Sequence, residues 1–245
     1  MGSWLNIRLQ HDGTFLRVYT PYHPTLVARC RQWGGKWDGE AWVFPDTPDH
    51  SHKVKETLLN IWGWDGEKEE VEVVDVEVDF SSTEYVDYIF GREVKRPSRD
   101  SRLRVGWGVE VLEEPGGGGS RKHPAIEWAR LLVRCVPTER LQRPLPKGVK
   151  ILATTNRRTI NIPIILAETQ RILQTEPTLS PASVELALTY SLATSSKEET
   201  PDLVASSPEE GTPAPSPSHE EIAEAARRCG CEKCQRILAI LEEAS

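Results

Sequence analysis

A chain of 245 residues, 38 % hydrophobic and with a formal charge of −7, has room for one large domain or two small ones with tails. It holds no apolar run of bilayer length and no signal-type segment after Met1, so a cytoplasmic protein without membrane association is expected. Three of its five cysteines fall in the last seventeen residues, which is not the framework of a disulfide-stapled secreted domain.

Residues 4–9 and 14–19 alternate apolar and polar positions around His11-Asp12-Gly13, predicting a hairpin. Pro24 opens a helix running to Trp33 that places Leu26, Cys30 and Trp33 on one face, and Gly34 closes it. Lys36-Trp37 and residues 41–44 predict two strands joined around Asp38-Gly39-Glu40. Thr47-Pro48 supply the cap and first-turn proline of a second helix, with Val54, Leu58 and Ile61 on one face and Gly63 at its end. Residues 1–65 therefore predict a ββαββα module whose helices cover one face of a small sheet.

Residues 70–79 predict a strand whose doubled Val73-Val74 step signals either a bulge or burial on both faces. Ser81-Ser82-Thr83-Glu84 has capping-box form and predicts a short helix through Phe90, ended by Gly91. Leu103, Val105, Trp107, Val109 and Val111 alternate without a break and predict one continuous strand; residues 127–135 and 150–153 add two more. Residues 66–160 thus read as a second, β-rich α+β domain. Asn161-Ile162-Pro163 and Ser180-Pro181 each start a helix within residues 161–193. Residues 194–218, rich in Ser, Thr, Pro and Glu, predict a disordered linker, and residues 219–245 a C-terminal helix. The expected fold class is α+β.

The densest chemical signal is Trp33-Gly34-Gly35-Lys36-Trp37-Asp38-Gly39-Glu40-Ala41-Trp42-Val43-Phe44. Its rings, with Trp62 and Trp64, either fill the core of a small domain or leave some faces open for stacking. Exposed rings among Trp33, Trp37, Trp42 and Trp64, with Arg29, Arg31 and Lys36 beside them, would make a base-stacking platform. The pattern Tyr22…Arg31-Gln32-Trp33-Gly34-Gly35-Lys36-Trp37-Asp38…Trp42-Val43-Phe44-Pro45 resembles a small Gly-(Gly/Ala)-x-Trp-Asp…Trp-x-x-Pro module. That module is found beside primase, helicase and antirestriction regions of plasmid and phage proteins. The stretch is also similar to the HARP module of annealing helicases. The resemblance covers residues 4–64, its loop between Trp37 and Trp42 is shorter than in either family, and no helicase or primase motif follows. It implies an association with nucleic acid rather than an activity.

Charge is strongly segregated. Residues 66–90 carry one basic and nine acidic groups, whereas residues 91–160 carry sixteen basic and seven acidic groups. Arg92, Lys95, Arg96, Arg99, Arg102 and Arg104, followed by Arg121 and Lys122 after a Gly-rich loop, are candidate phosphate ligands. The alternative is that this block neutralises residues 66–90 inside one domain. The Gly116–Gly119 run lacks the Gly-Lys-Ser/Thr ending of a P-loop and reads as a hairpin loop.

Cys229, Cys231 and Cys234 are three of the four ligands a structural zinc needs; the alternative is an amphipathic docking face of Cys234, Ile237, Ile240 and Leu241. Asp46, Asp49, His50 and His52 have metal-ligating chemistry, but helix capping accounts for Thr47 and Asp49. His23 with Cys30 reads as packing. The expected function is non-enzymatic binding of nucleic acid, single-stranded or forked, in replication, repair or mobile-element biology, with no cofactor beyond that zinc. The rivals are a regulatory factor gripping a protein partner through residues 219–245, and a metal-dependent nuclease using Asp38, Glu40 or Asp49.

Overall fold

Local signals at the N-terminus fold as read except in the first element. Residues 4–9 do not form one strand, because Trp4–Asn6 make a 3-10 turn and the strand runs Arg8–His11, taking in His11 from the expected turn. The structure, a computed structural model, describes residues 3–83, 86–114, 118–120, 124–175 and 177–191. The chain divides into two compact units, Met1–Arg157 and Arg158–Ser245. In the first, a 3-10 turn (Trp4–Asn6), capped by the Ser3 hydroxyl accepting from Leu5 N–H, leads into β1 (Arg8–His11) and β2 (Phe15–Tyr19). Then come α1 (Pro24–Gln32), β3 (Lys36–Trp37), β4 (Trp42–Pro45) and α2 (Pro48–Trp62). The four strands pair antiparallel in the order β1-β2-β4-β3. Leu16, Val18, Trp42 and Phe44 fill the inner face and are buried, as are Leu26 and Cys30 of α1 and Val54 and Leu58 of α2. The Thr47 hydroxyl accepts the His50 N–H at 3.3 Å and caps α2. Thr47→Ala should therefore cost about 1 kcal/mol, read as a lower urea midpoint at unchanged slope; an unmoved midpoint would remove the cap from the account.

The rest of the first unit is built on two long strands. The elements are β5 (Glu70–Ser82), β6 (Val86–Ile89), β7 (Arg92–Lys95), β8 (Arg104–Val105), β9 (Val109–Glu113), β10 (Gly118–Gly119), β11 (Pro124–Pro137), α3 (Thr138–Leu141) and β12 (Val149–Asn161). One sheet runs β10-β11-β5-β12 with β9 also on β11; a smaller one runs β6-β7-β8. Val74, Val76, Val78 and Phe80 enter a core with Leu131, Val133, Ile89 and Phe90, while Val71, Val73 and Asp75 are buried on the other face of β5. Burial on both faces therefore explains the Val73-Val74 doublet.

The bulge lies in β11 instead. Val133 pairs with Val76 but Val136 with Val74, leaving one extra residue at Cys135, whose φ is +52°. Its N–H donates to the buried Asp75 carboxylate at 2.9 Å, and Asn156 Nδ2 donates to the same carboxylate at 3.0 Å. Those partners let an aspartate sit in the valine run, since a buried carboxylate must be hydrogen-bonded.

Two expectations fail here. No helix follows Ser81: β5 continues through Ser82, and β6 pairs with β7 across a two-residue turn at Phe90-Gly91, both at positive φ (47° and 75°). A turn of that type matches strand twist, so Gly91 is a hairpin residue and not a helix stop. The alternating run 103–111 is also broken. The chain corners at Gly106-Trp107-Gly108, with Gly106 N–H on Glu93 O (2.8 Å) and Arg134 N–H on Gly108 O (2.7 Å), and so passes from the small sheet to the large one.

The first unit joins these parts through the expected module boundary at residue 65. Trp4 Nε1 donates to Cys135 O (3.1 Å) and Trp62 Nε1 to Gly91 O (3.2 Å), while Arg143 bonds Glu56 and Asn60. In the second unit, α4 (Ile162–Thr175) and α5 (Pro181–Ser191) begin at the predicted prolines and bury Ile162, Ile165, Val184 and Leu188. Arg158 lies 4.0 Å over the Tyr190 ring and donates to Thr189 O. The protein is α+β, and among the described residues no helix is long and apolar enough to cross a membrane. The predicted linker and C-terminal helix, with Cys229, Cys231 and Cys234, lie outside the described residues.

Candidate nucleic-acid interface

Because side chains alternate along a strand, a sheet with helices on one face presents its other residues outward. In β2 these are Phe15, Arg17 and Tyr19. The register sets Gln10, Arg17, Val43 and Lys36 in one row across all four strands. Arg8 opposite Tyr19 and Phe15 opposite Pro45 flank that row. Arg8, Gln10 and Lys36 are exposed, and Phe15 is 44 % exposed. The Arg8 guanidinium lies 4.0 Å over the Tyr19 ring, presenting cation and ring together. Arg17 pairs with Asp38 at the turn before β4. The Ala41 and Glu40 amides, with Arg17, hold the Asp38 carboxyl below the usual carboxylate range. The face therefore combines two rings with three cations against one carboxylate.

No protein-family model matches this chain, and no curated protein or solved structure does so either.

The aromatic hairpin divides. Trp37 is 52 % exposed at the sheet edge, its ring 5.7 Å from Trp42, and Trp33 is half-buried at the end of α1. Lys36 is on the open face; Arg31 is exposed on α1, and Arg29 reaches Thr57 of α2. Trp42 and Trp64 are corrections: both are buried, Trp42 against the helices and Trp64 edge-on to Trp4 with its N–H on Lys68 O, so neither offers a face to a base.

The basic block divides as well. Arg92 and Arg96 are buried and hold the fold. Arg92 donates to the carbonyls of Arg134 (2.8 Å) and Cys135 (2.9 Å), and Arg96 to Ser101 O (2.8 Å) and Glu114. Neither is available to a phosphate, because a buried guanidinium stays only where carbonyls and carboxylates satisfy it. Lys95 is half-buried, and Arg99, Arg102 and Arg104 are exposed. Arg121 and Lys122 lie outside the described residues. Pairing with the acidic stretch falls mainly to Arg130, between Glu77, Asp79 and Glu113, and to Arg157 at Glu72.

The metal-ligating residues are drawn apart by local partners. His11 takes Asp46 at 2.8 Å, Lys53 takes Asp49 at 2.6 Å, and His50 turns to Thr47 and Pro45 O. Asp38 is spent on its turn, accepting from Glu40 and Ala41 N–H. Among the described residues no three His, Cys, Asp or Glu side chains gather to hold a metal ion. Cys30 is buried and its thiol is pushed up to about 12, which suits packing.

Sequence reasoning missed Arg8, Phe15, Arg17 and Tyr19. The signal was present: Phe15, Arg17 and Tyr19 alternate with the core residues Leu16 and Val18.

Proposed function

We propose that this chain is a nucleic-acid-binding accessory protein that takes a single strand on the open face of its N-terminal sheet. The observation carrying this reading is the four-strand row with Phe15 and Tyr19 set among Arg8, Arg17 and Lys36. Rings supply sequence-tolerant stacking, and cations supply phosphate neutralisation. Trp37, cross-strand from Trp42, lies on the other side of the sheet and is not part of this face. The resemblance to plasmid and phage modules points the same way as the open face, to replication, repair or mobile-element biology.

Titration of labelled oligo-dT across a salt series tests the proposal. With three cations engaged, log K against log salt should fall with a slope of about −2. Lys36→Ala should flatten that slope by roughly 0.7. Phe15→Ala should weaken binding about tenfold and leave the slope unchanged. Absence of binding at low salt ends the proposal.

A further inference from the structure

A second aromatic assembly in the first unit is not absorbed by the sheet face. A pocket of about 130 Å³ is walled by Trp4, Tyr22, Trp62, Tyr88, Glu93 and Trp107. That volume equals about four waters at ~30 Å³ each, enough for a single heteroaromatic ring. The fold builds these walls from distant segments. Gly91 lets the β6–β7 turn press against the Trp62 ring, where a Cβ would collide, and Gly106 sits against the Glu93 backbone. Trp4 and Trp107 meet edge to face at 6.5 Å. Tyr22, at the rim, is 71 % exposed.

The polar groups are few and directional. Tyr88 and Glu93 are cross-strand partners and so share a face. Burial, with the Glu93 charge and Tyr22 adding, pushes the Tyr88 hydroxyl up to about 12, in keeping with their convergence. The Glu93 carboxylate makes no hydrogen bond or ion pair with any described residue. Arg92 lies 5.4 Å over the Trp107 ring, its guanidinium fixed by backbone carbonyls. A cationic head group would suit the rings and Glu93 but would face that fixed positive charge. A neutral flat ring stacks on Tyr22 and Tyr88 without that repulsion, over a closed floor of Trp4, Trp62 and Trp107, and an amino group on its edge supplies the donor that Glu93 lacks.

We propose that this pocket takes one unstacked nucleobase carrying an exocyclic amino group, whose N–H donates to the Glu93 carboxylate while aromatic side chains hold the ring. The inference rests on the single-strand reading and adds base preference to it. Saturation-transfer NMR of the full chain with free cytidine, N3-methyluridine and choline provides the test. Uridine carries an N–H at N3 that could itself donate to a carboxylate, and methylation removes it. Cytidine should therefore bind about tenfold better than N3-methyluridine, and choline should give no transfer. Glu93→Gln should cancel the preference, because an amide donates as readily to the carbonyl of N3-methyluridine. Tyr22→Ala, at an exposed position that carries no core packing, should weaken both nucleosides with an unchanged near-ultraviolet circular dichroism spectrum. Equal binding of the two nucleosides, a preference for choline, or a preference that survives Glu93→Gln would each overturn the proposal. Oligo-dT lacks the amino group, so its binding without cytidine preference sinks the pocket alone. Cytidine preference without oligo-dT binding upholds the pocket and sinks the sheet-face reading.

Discussion

Trp4→Ala should lower the stability of the first unit by about 3–5 kcal/mol, moving its thermal midpoint down by roughly 10–15 °C. Trp4 is 2 % exposed, donates its indole N–H to Cys135 O at 3.1 Å, and meets Trp64 and Trp107 edge-on at 5.6 and 6.5 Å. Alanine removes the ring and leaves a cavity where the N-terminal turn, the loop after α2 and the Gly106–Gly108 corner converge. Trp4→Phe keeps most of the ring and loses the N–H donor. Its cost should be smaller, since Cys135 O keeps the Arg92 guanidinium at 2.9 Å. Urea unfolding followed by far-ultraviolet circular dichroism reads both variants. A single displaced transition means that residues 3–65 and the long sheet unfold together; two transitions would restore a boundary near residue 65. A loss below 1 kcal/mol for Trp4→Ala would mean that this indole is not part of the core.

The contrast between the two halves of this unit shows what the sequence could disclose. Within the first 65 residues the deciding signals are local. Pro24 and Pro48 stand at helix starts, Gly34 and Gly63 at their ends, and Asp38-Gly39 in the turn, so both helices and the aromatic hairpin were legible. Alternation also put Trp42 and Phe44 on one face. Trp64 was not legible, because its burial depends on Trp4, sixty residues away in the chain. In the central region local signals misled. The capping box at Ser81 was overruled by the Phe90-Gly91 hairpin, whose stability comes from four cross-strand pairs. Composition marked Arg92 and Arg96 as free cations. Burial of a guanidinium is decided by carbonyls that come from elsewhere in the fold, here at the Cys135 bulge and at Ser101. Part of the site was readable: the Phe15, Arg17, Tyr19 alternation marks one face of one strand. Arg8 and Lys36 join it only once the order β1-β2-β4-β3 is known.

His23 should make this unit lose about 3 kcal/mol of stability as pH falls from 6.5 to 4. Burial holds its imidazole down at about 4, against an ordinary value of 6.5. Its ring packs against Trp62 at 5.5 Å and Tyr88 at 4.5 Å, and Nδ1 has no hydrogen-bond partner among the described residues. Between those two values the unfolded chain holds a proton that the folded protein does not. The stabilisation is therefore complete above pH 6.5 and drains at about 1.4 kcal/mol per pH unit down to 4. Carboxylates act later: Asp12 and Asp38 are held below the usual range, so their protonation weakens the fold only under about pH 4. His23→Phe keeps the ring packing and deletes an unsatisfied buried nitrogen, a change expected to be neutral or stabilising at pH 7. Urea midpoints at half-unit pH steps should fall between 6.5 and 4.5 in the natural protein and stay level in the variant. Equal slopes would mean that the imidazole is hydrated and that the wall it forms with Trp62 and Tyr88 is open to water. Level midpoints in the variant would instead establish a neutral, dry histidine behind the Trp62–Tyr88 pocket wall, the condition under which a flat uncharged ring gains most by stacking there.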